Sequence, residues 1–299
     1  MRLGIDLGGS KIEIIALQDD GAVLTRHRIA TPQGDYDATV AAIVQLVQET
    51  ETELGQSGTL GVAIPGAIST HTGTVKNANS TCLIGKPLQD DLQHALRRPV
   101  RLSNDANCFA LSEAVDGAAH NAGVVFGVII GTGTGAGIVV KGSVIEGVNR
   151  IAGEWGHNPL PWPRDEERPG PACYCGKQGC VETFLSGPGM SRDHDRHYQQ
   201  QLTAQQIVQA ALQGESKAQL TLQRYEERMA RALAGVINIL DPDVIILGGG
   251  MSNIQTLYEN VPRLWTDYVF SDVVETRLLP PQHGDSSGVR GAAWLWPLV

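Results

Sequence analysis

The chain has 299 residues, of which 42% are hydrophobic and 18% charged, and its 32 acidic and 23 basic side chains give a net charge of −9. This acidic balance argues against a nucleic-acid binder, because neutralising phosphates requires clustered Lys and Arg. No apolar run approaches the roughly 20 residues of a membrane helix and no signal peptide is evident, so we expect a cytoplasmic protein without a membrane partner.

Strands and helices alternate along the first third of the sequence. Alternating or continuous apolar runs predict strands, and apolar residues on one helical face predict helices. The predicted elements are strands at 2–7 and 11–17, a helix at 38–54, a strand at 59–64, a helix at 88–97, a strand at 100–102 and a helix from Asn104-Asp105 to Ala114.

The opening pattern returns near residue 123. An apolar strand at 123–130 runs into a glycine-rich loop at 131–137, and residues 138–140 return as a strand. This echo, in a chain long enough for two domains, indicates two related lobes with a cleft between them. A long helix at about 217–239 and a strand at 244–247 follow, so the alternation predicts the α/β class.

Two polar stretches interrupt this pattern in the second half of the chain. Residues 158–171 and 188–206 are expected to be surface loops or lid segments. Within the second, Asp193-His194-Asp195-Arg196-His197 could be a metal site, but a solvated stretch is the simpler interpretation and the one that we favour.

Glycine is the unusual component, because 35 of the 299 residues are glycine. An average usage of about 7% would give about 21. The first glycine loop, DLGGSK at residues 6–11, lies between two strands, so it is neither a Rossmann nor a Walker loop. Its backbone N–H groups can still cradle an anion, Ser10 and Lys11 add donors, and Asp6 could hold a hydrated Mg²⁺. A hairpin turn without function is an equally good explanation of this motif alone.

Two further glycine loops change that balance. The second is GTGTGAG at residues 131–137, and the third is Gly248-Gly249-Gly250 after a strand. Each alone could be a simple turn. The three together favour a nucleotide clamp, in which bare backbone grips the phosphates and lies against the base and ribose.

Asn104-Asp105 stands where a strand ends and a helix begins. Asp105 could be a helix N-cap, or it could be a general base at the carboxyl end of a strand, where α/β active sites gather. The spacing does not separate the two explanations.

Three cysteines and one histidine form a cluster typical of structural zinc. Cys173, Cys175 and Cys180 follow His157, and the glycines between them permit sharp turns. Redox-active cysteines are the competing interpretation, but the chain has no CxxC pair on a thioredoxin-like pattern, so we favour zinc. Cys82 and Cys108 are expected to be core residues.

These motifs resemble the ROK (repressor, open reading frame, kinase) sugar kinases of the actin-like ATPase superfamily. The resemblance runs along essentially the whole chain, through GIDLGGSK, GVAIPG, KNANST, LSNDANCFALSEA, AGEWGHN, CYCGKQGCVE and DPDVIILGGGMSN. It implies an α/β, two-lobed actin-like (ribonuclease H-like) fold with a cleft between the lobes. The N-terminal lobe would span 1–118, with a C-terminal helix of about 286–299 packing back on it, and the C-terminal lobe would span 119–285 and carry the zinc loop.

The resemblance also implies roles for individual residues. Asp105 would be the catalytic base. The sugar would be bound by Gly66, Asn79, Asn104, Asp105, Glu154, His157 and Glu182. ATP would be bound by Gly4, Ile5, Asp6, Leu7, Gly8, Gly9, Ser10 and Lys11, by Gly131, Thr132, Gly133, Thr134, Gly135, Ala136 and Gly137, and by Gly249 and Gly250. Asp6 would lie near Mg²⁺, and the structural Zn²⁺ would be bound by His157, Cys173, Cys175 and Cys180.

Within the family the motifs look closest to bacterial fructokinases. The expected activity is therefore ATP-dependent phosphorylation of a hexose, D-fructose to fructose 6-phosphate, with mannose and glucose as further candidate substrates. N-acetylglucosamine kinase is the alternative. A ROK repressor is disfavoured because Asp6 leaves no room for a preceding helix-turn-helix, and a silent sugar-binding protein because Asp105 and the phosphate loops are intact. Many family members are homodimers, so a homodimer is expected.

Overall fold

A computed structural model of the chain describes residues 1–284 and 287–297. The strands are β1 (Arg2–Leu7), β2 (Lys11–Leu17), β3 (Val23–Ala30), β4 (Thr59–Ile64), β5 (Ala67–Ile68), β6 (Val75–Lys76), β7 (Val100–Asn104), β8 (Val124–Ile130), β9 (Thr134–Val140), β10 (Ser143–Val144), β11 (Val244–Gly248) and β12 (Arg277–Leu279). The helices are α1 (Tyr36–Leu54), α2 (Leu88–Leu96), α3 (Asp105–Val115), α4 (Val181–Leu185), α5 (Gly187–Tyr198), α6 (Ala204–Leu212), α7 (Ser216–Leu240), α8 (Leu257–Leu264) and α9 (Ser287–Ala293). Among the described residues, no helix combines the length and the apolar character that crossing a bilayer requires.

The chain folds into two compact units. Unit 1 comprises residues 1–121, 137–153 and the chain from 282 onward, and unit 2 comprises residues 122–136 and 154–281. Residues 137–153 therefore belong to unit 1, although they were expected to belong to the C-terminal lobe of 119–285. The predicted lobe limits themselves stay a prediction.

Two five-stranded sheets have the same kind of strand order. The first runs β3-β2-β1-β4-β7, and the second runs β10-β9-β8-β11-β12. In the first, β1 pairs antiparallel with β2, whereas β1, β4 and β7 are parallel. In the second, β8, β11 and β12 are parallel. Parallel strands are buried on both faces, which is why they appear in the sequence as continuous apolar runs, and the α/β class is confirmed.

The elements predicted between residues 2 and 114 are confirmed, with ends that differ by two residues or fewer.

The second glycine loop is shorter than expected. Residues 134–137 were expected to belong to the loop, but β9 already begins at Thr134. A Cβ at Gly137 would lie 2.5 Å from the carbonyl oxygen of Ala106 on α3, so this glycine allows a strand to lie against a helix backbone in unit 1.

Helix α9 packs on the first sheet at glycines that a side chain could not replace. A Cβ at Gly4 of β1 would lie 2.1 Å from a carbonyl oxygen of α9, and one at Gly61 of β4 would lie 1.9 Å from another. Ile5 and Leu7 are buried in the same core, at 0% and 2% exposure. Gly4, Ile5 and Leu7, expected to bind the nucleotide, thus have a packing role.

Hydrogen bonds to a buried carboxylate of α3 hold the segment that leads into α9 in unit 1. Glu113 of α3 is 0% exposed and accepts hydrogen bonds from the backbone N–H groups of Gln282 and His283 and from the Ser287 hydroxyl. The predicted helix of about 286–299 is observed as the shorter α9, and residues 286, 298 and 299 lie outside the described residues.

The polar stretch at 188–206 is helical where a loop was expected, and part of it is buried. Most of it forms α5 and the start of α6, and His194 is 0% exposed between Thr221 and Gln200, which it contacts through its two ring nitrogens. Asp193 pairs with arginines of α7. The expectation of a solvated stretch is therefore wrong for Asp193 and His194, which have partners on α7, whereas Arg196 and His197 are exposed. The described residues form no metal-binding cluster here.

The segment 158–171 also contributes a buried group. The Glu167 carboxylate, with its side chain 3% exposed, accepts hydrogen bonds from Arg228 at 2.7 Å and from Arg231 at 2.8 Å. Burial by itself raises the pKa of Glu167, but the hydrogen bonds from Arg231 and Arg228 outweigh it and lower that pKa to about 2. This ion cluster ties the segment that precedes the cysteines to α7.

Replacing Glu167 with alanine is expected to lower the free energy of unfolding at pH 7 by about 3 kcal/mol, because Arg228 keeps its ion pair with Asp193 but Arg231 loses its close carboxylate partner and keeps only Glu227, at 3.9 Å. A carboxyl whose pKa is lower when folded stabilises above its unfolded pKa, and the contribution is lost as the pH falls from about 4.5 towards 2. Urea unfolding at pH 7 and pH 4 measures both effects. Glu166→Ala, at the exposed neighbouring glutamate, is the matched control, and equal losses in the two variants would contradict the assignment.

Candidate functional site

Unit 1 places two carboxylates at the carboxyl ends of its parallel strands. Asp6 lies on β1, and Asp105 begins α3 directly after β7. Burial raises the pKa of Asp6 to about 6, and the negative charges of Asp105 and Glu13 add to that rise. The charge of Asp105 thus acts on Asp6, and a pair of neighbouring carboxylates is suited to a divalent cation.

The capping role that the sequence leaves open belongs to Asn104. Its side-chain oxygen accepts from the N–H of Ala106 at 2.9 Å, so Asn104 is the N-cap of α3 and Asp105 is the first helical residue. The Asn104 amide also donates to the carbonyl of Gly66 at 3.0 Å. Gly66 has a φ of +78°, and a Cβ there would lie 2.3 Å from the carbonyl oxygen of Lys76. Two residues of the predicted sugar site are thus in contact.

The first glycine loop borders a second part of unit 1. Its turn is closed by a 3.0 Å hydrogen bond from the N–H of Gly8 to the carbonyl of Lys11, and Gly9, Ser10 and Lys11 are exposed. Gly9 and Asn79 line the same cavity of about 300 Å³. Asn79, predicted to bind sugar, therefore lies beside a loop predicted to bind phosphate.

Unit 2 brings the second and third glycine loops to one cavity. This cavity measures about 650 Å³, and its lining includes Gly131, Thr132, Gly250, Met251 and Ile254. No atom from another part of the chain lies within 4 Å of the position that a Cβ would occupy at Gly131 or Gly250, so a ligand can approach bare backbone there, while Met251 and Ile254 provide an apolar wall. The volume falls within the roughly 300–1,000 Å³ of small-molecule sites.

Several residues of this cavity were missed by the sequence analysis. Gly187 and Pro188 at the start of α5 line it together with Ala204 of α6. The signal was present, because Ser186 is an N-cap whose side chain accepts from the N–H of Gly189, and Pro188 stands in the first turn. A serine followed by proline marks a helix start, and helix starts provide free N–H groups.

His157 and the three cysteines of the motif converge in unit 2, where their ligand atoms all lie within 4.8 Å of one another. Cys175 Sγ is 3.6 Å from Cys180 Sγ, and Cys173 Sγ is 3.5 Å from His157 Nδ1. A tetrahedral site with Zn–S bonds of about 2.3 Å requires sulfur atoms about 3.8 Å apart, so the spacing suits zinc.

Local backbone geometry and the thiol pKa values support this cluster. Gly176 and Gly179 have φ values of +85° and +71°, so both sharp turns occur at the expected glycines. The backbone N–H of Lys177 lowers the pKa of Cys175, whereas burial and hydrogen bonds with Cys175 and Cys173 raise the pKa of Cys180 to about 12. Thiols this crowded cannot all ionise unless a cation compensates their charge.

One predicted sugar ligand, His157, lies against a tyrosine that the sequence analysis missed. His157 Nε2 lies 2.9 Å from the hydroxyl of Tyr174, which stands between two of the cysteines and is 82% exposed. Burial raises the pKa of Tyr174, with smaller contributions from the charges of Glu182 and Glu154. Nδ1 of His157 therefore faces Cys173, and Nε2, which is directed away from the cysteines, faces a hydroxyl group.

The model of the ROK family matches residues 2–298 of the chain. The chain belongs to the ROK family. It is 40% identical to an N-acetyl-D-glucosamine kinase of Vibrio cholerae, with 99% of each chain covered. Among solved structures, a ROK hexokinase from Thermus thermophilus is 28% identical, with a TM-score of 0.88 and coverage of 98% of this chain and 97% of that one. A ROK family glucokinase from Streptomyces griseus, crystallised with glucose and AMPPNP, is 25% identical, with a TM-score of 0.76 and coverage of 98% and 97%.

Within the ROK family, the expectation of a fructokinase is wrong. Relatives that are 37–40% identical over 99% of this chain are N-acetyl-D-glucosamine kinases from Vibrio, Photobacterium and Yersinia. The motifs that suggested fructose are those of the expected zinc and sugar ligands. Several of them do not distinguish fructokinases from N-acetylglucosamine kinases, so they could not decide between the two subgroups.

Proposed function

We propose that this protein transfers the γ-phosphoryl group of ATP to N-acetyl-D-glucosamine. The choice of N-acetyl-D-glucosamine as the sugar rests on the full-length similarity to N-acetyl-D-glucosamine kinases. The cavity shared by Gly131, Thr132 and Gly250 supports the choice of ATP, because both glycine loops offer bare backbone to one ligand. A similar solved glucokinase holds glucose and an ATP analogue.

Phosphoryl transfer depends mainly on positioning and on neutralising charge. The backbone N–H groups of Gly9 and Ser10 in the first loop and of Thr132 and Gly133 in the second would orient the phosphates, with Lys11 adding a positive charge. Asp6 would hold Mg²⁺, which neutralises phosphate charge when bound. Gly249 has a φ of +77° and holds the third loop against Ile130, so that Gly250 can lie beside the adenosine.

Asp105 would act as the general base. Its carboxylate accepts the proton of the sugar hydroxyl as that oxygen forms a bond to the γ-phosphorus, and the bond from phosphorus to the departing ADP oxygen breaks. Asn104 supports this role because it caps α3 and fixes the first helical residue. Asn104, Gly66, Glu154, His157 and Glu182 would orient the sugar, while Asn79, which lies beside Gly9, is the member of the set that the geometry supports least.

The cluster of His157, Cys173, Cys175 and Cys180 would bind one structural Zn²⁺. Four protein ligands close the coordination sphere, which is typical of structural rather than catalytic zinc. With Nδ1 towards the cysteines, the Nε2–H of His157 is available to a hydroxyl. The metal would thus fix the orientation of a histidine that hydrogen-bonds a sugar hydroxyl.

A kcat/KM comparison with MgATP over N-acetylglucosamine, glucose, mannose and fructose tests the proposed substrate. N-acetylglucosamine is expected to exceed each of the others by at least about tenfold, since a site that binds an acetamido group leaves polar groups unpaired with sugars that lack it. An equal or higher kcat/KM for glucose or fructose would overturn the proposal.

The homodimer implied by the family stays a prediction. Unit 2 exposes Phe270 and Ile239 at 100% and 90% of their surface, and the N–H of Phe270 donates to Asn238, next to Ile239 in the chain. Large exposed apolar side chains on a folded domain favour a protein contact surface.

A further inference from the structure

We propose that Glu182 is a positioning residue for the nucleotide loop, and that it links the cysteine cluster to the ATP cavity. The inference rests on the proposed function, in which the loop that ends at Gly133 receives the phosphates. It adds a second task to a carboxylate that the family resemblance gives only to sugar binding.

The Glu182 carboxylate lies directly against the loop backbone. Its Oε2 atom accepts a hydrogen bond from the N–H of Thr134 at 2.9 Å. A Cβ at Gly133 would lie only 2.7 Å from the same oxygen, so the glycine is what allows the carboxylate to approach. The carboxylate therefore fixes the point at which the loop turns into β9.

The other end of the loop is fixed from a neighbouring helix. The carbonyl of Gly131 accepts from the N–H of Gly187 at 2.8 Å, and Gly187 begins α5. A further bond of 2.9 Å, from the N–H of Gly131 to the carbonyl of Gly133, closes the loop on itself. With both ends held, the loop is preorganised for an anion, which lowers the ordering cost of binding.

Glu182 is itself fixed by the cysteine cluster. It stands two residues after Cys180, in the first turn of α4. The N–H of Val181 donates to the carbonyl of Asn158 at 2.8 Å, and the Thr183 hydroxyl donates to the carbonyl of Cys180 at 2.7 Å. A shift of Cys180 therefore moves Glu182, and Glu182 moves the N–H of Thr134.

One carboxylate then serves both substrates. With Oε2 bonded to Thr134, a sugar hydroxyl would bind at Oε1. Removal of the side chain should weaken nucleotide binding even when no sugar is present, whereas a residue that only binds sugar would leave it unchanged. A sugar-free nucleotide titration therefore separates the two roles.

The test is a titration of zinc-loaded, full-length protein with trinitrophenyl-ATP, without sugar. Glu182→Ala is expected to weaken the Kd by about tenfold or more, because a hydrogen bond to a charged group is lost. Glu182→Gln is expected to stay within about twofold of wild type, because its amide oxygen still accepts from Thr134. Glu154→Ala removes another sugar-binding carboxylate and should leave this Kd unchanged, although its kinase activity falls.

Gly133→Ala provides a second route if Glu182→Ala folds poorly. It keeps the carboxylate but pushes it away from the loop, so it too should raise the Kd about tenfold or more. A wild-type Kd in Glu182→Ala or in Gly133→Ala would overturn the inference, as would equal weakening in Glu182→Gln and Glu182→Ala. If the wild-type protein itself binds no nucleotide, the proposed function fails, and the inference fails with it.

Discussion

Replacing Asp105 with asparagine is expected to lower kcat by about 10²–10⁴-fold, the usual contribution of a general base. The amide cannot accept the proton of the sugar hydroxyl, but it has nearly the same shape, and Asn104 still caps α3. The Kd for the sugar should therefore change by no more than about threefold, which is under about 1 kcal/mol. A coupled ADP-release assay measures the first quantity, and calorimetric titration with N-acetylglucosamine measures the second.

Asp37→Asn is the matched control for this experiment. Asp37 also lies in the first turn of a helix in unit 1, but it is exposed on α1. Its kcat should equal that of the wild type. Near-wild-type turnover in Asp105→Asn would contradict the role of Asp105 as the base, and a loss of sugar binding equal to the loss of kcat would reassign it to substrate binding.

Removing the metal from the cysteine cluster is expected to lower both the Tm and the activity. Structural zinc contributes about 10–16 kcal/mol in small zinc-dependent folds. Even a loss of about 3 kcal/mol would lower the Tm by about 6–12 °C for a domain of this size. Elemental analysis of protein purified without chelators should find one zinc per chain, and calorimetry before and after chelation measures the change in Tm.

Cys180→Ser and Cys82→Ser separate the cluster from a general effect of cysteine loss. Cys180 is a predicted ligand, whereas Cys82 lies half-buried in unit 1. Only Cys180→Ser should lose zinc and thermal stability. Protein without zinc, or equal effects of the two substitutions, would contradict the zinc assignment.

The sequence predicts well what depends on local pattern. The strands and helices up to α3 follow apolar periodicity, and the φ values of Gly176 and Gly179 follow the glycine requirement of a tight turn. The pairing of Asn104 with Gly66 joins residues far apart in the chain, and only their family motifs connected them in advance.

What could not be predicted depends on long-range packing. Gly4 resembles part of a nucleotide loop, but its lack of a side chain accommodates α9, from the other end of the chain. His194 and Glu167 lie in polar stretches typical of surface, yet both are buried because α7 supplies their partners. The choice of sugar could not be predicted either, because several of the motifs do not distinguish fructokinases from N-acetylglucosamine kinases.

The dependence of the first sheet on α9 has a consequence for synthesis on the ribosome. β1 and β4 emerge early, but the helix that fits their bare glycines is translated only about 220 residues after β4. At about 5–20 residues per second, the nascent chain waits on the order of ten seconds or more with that face of the sheet uncovered. A message that stops before α9 would therefore yield a substrate for chaperones and proteases rather than a shorter working protein.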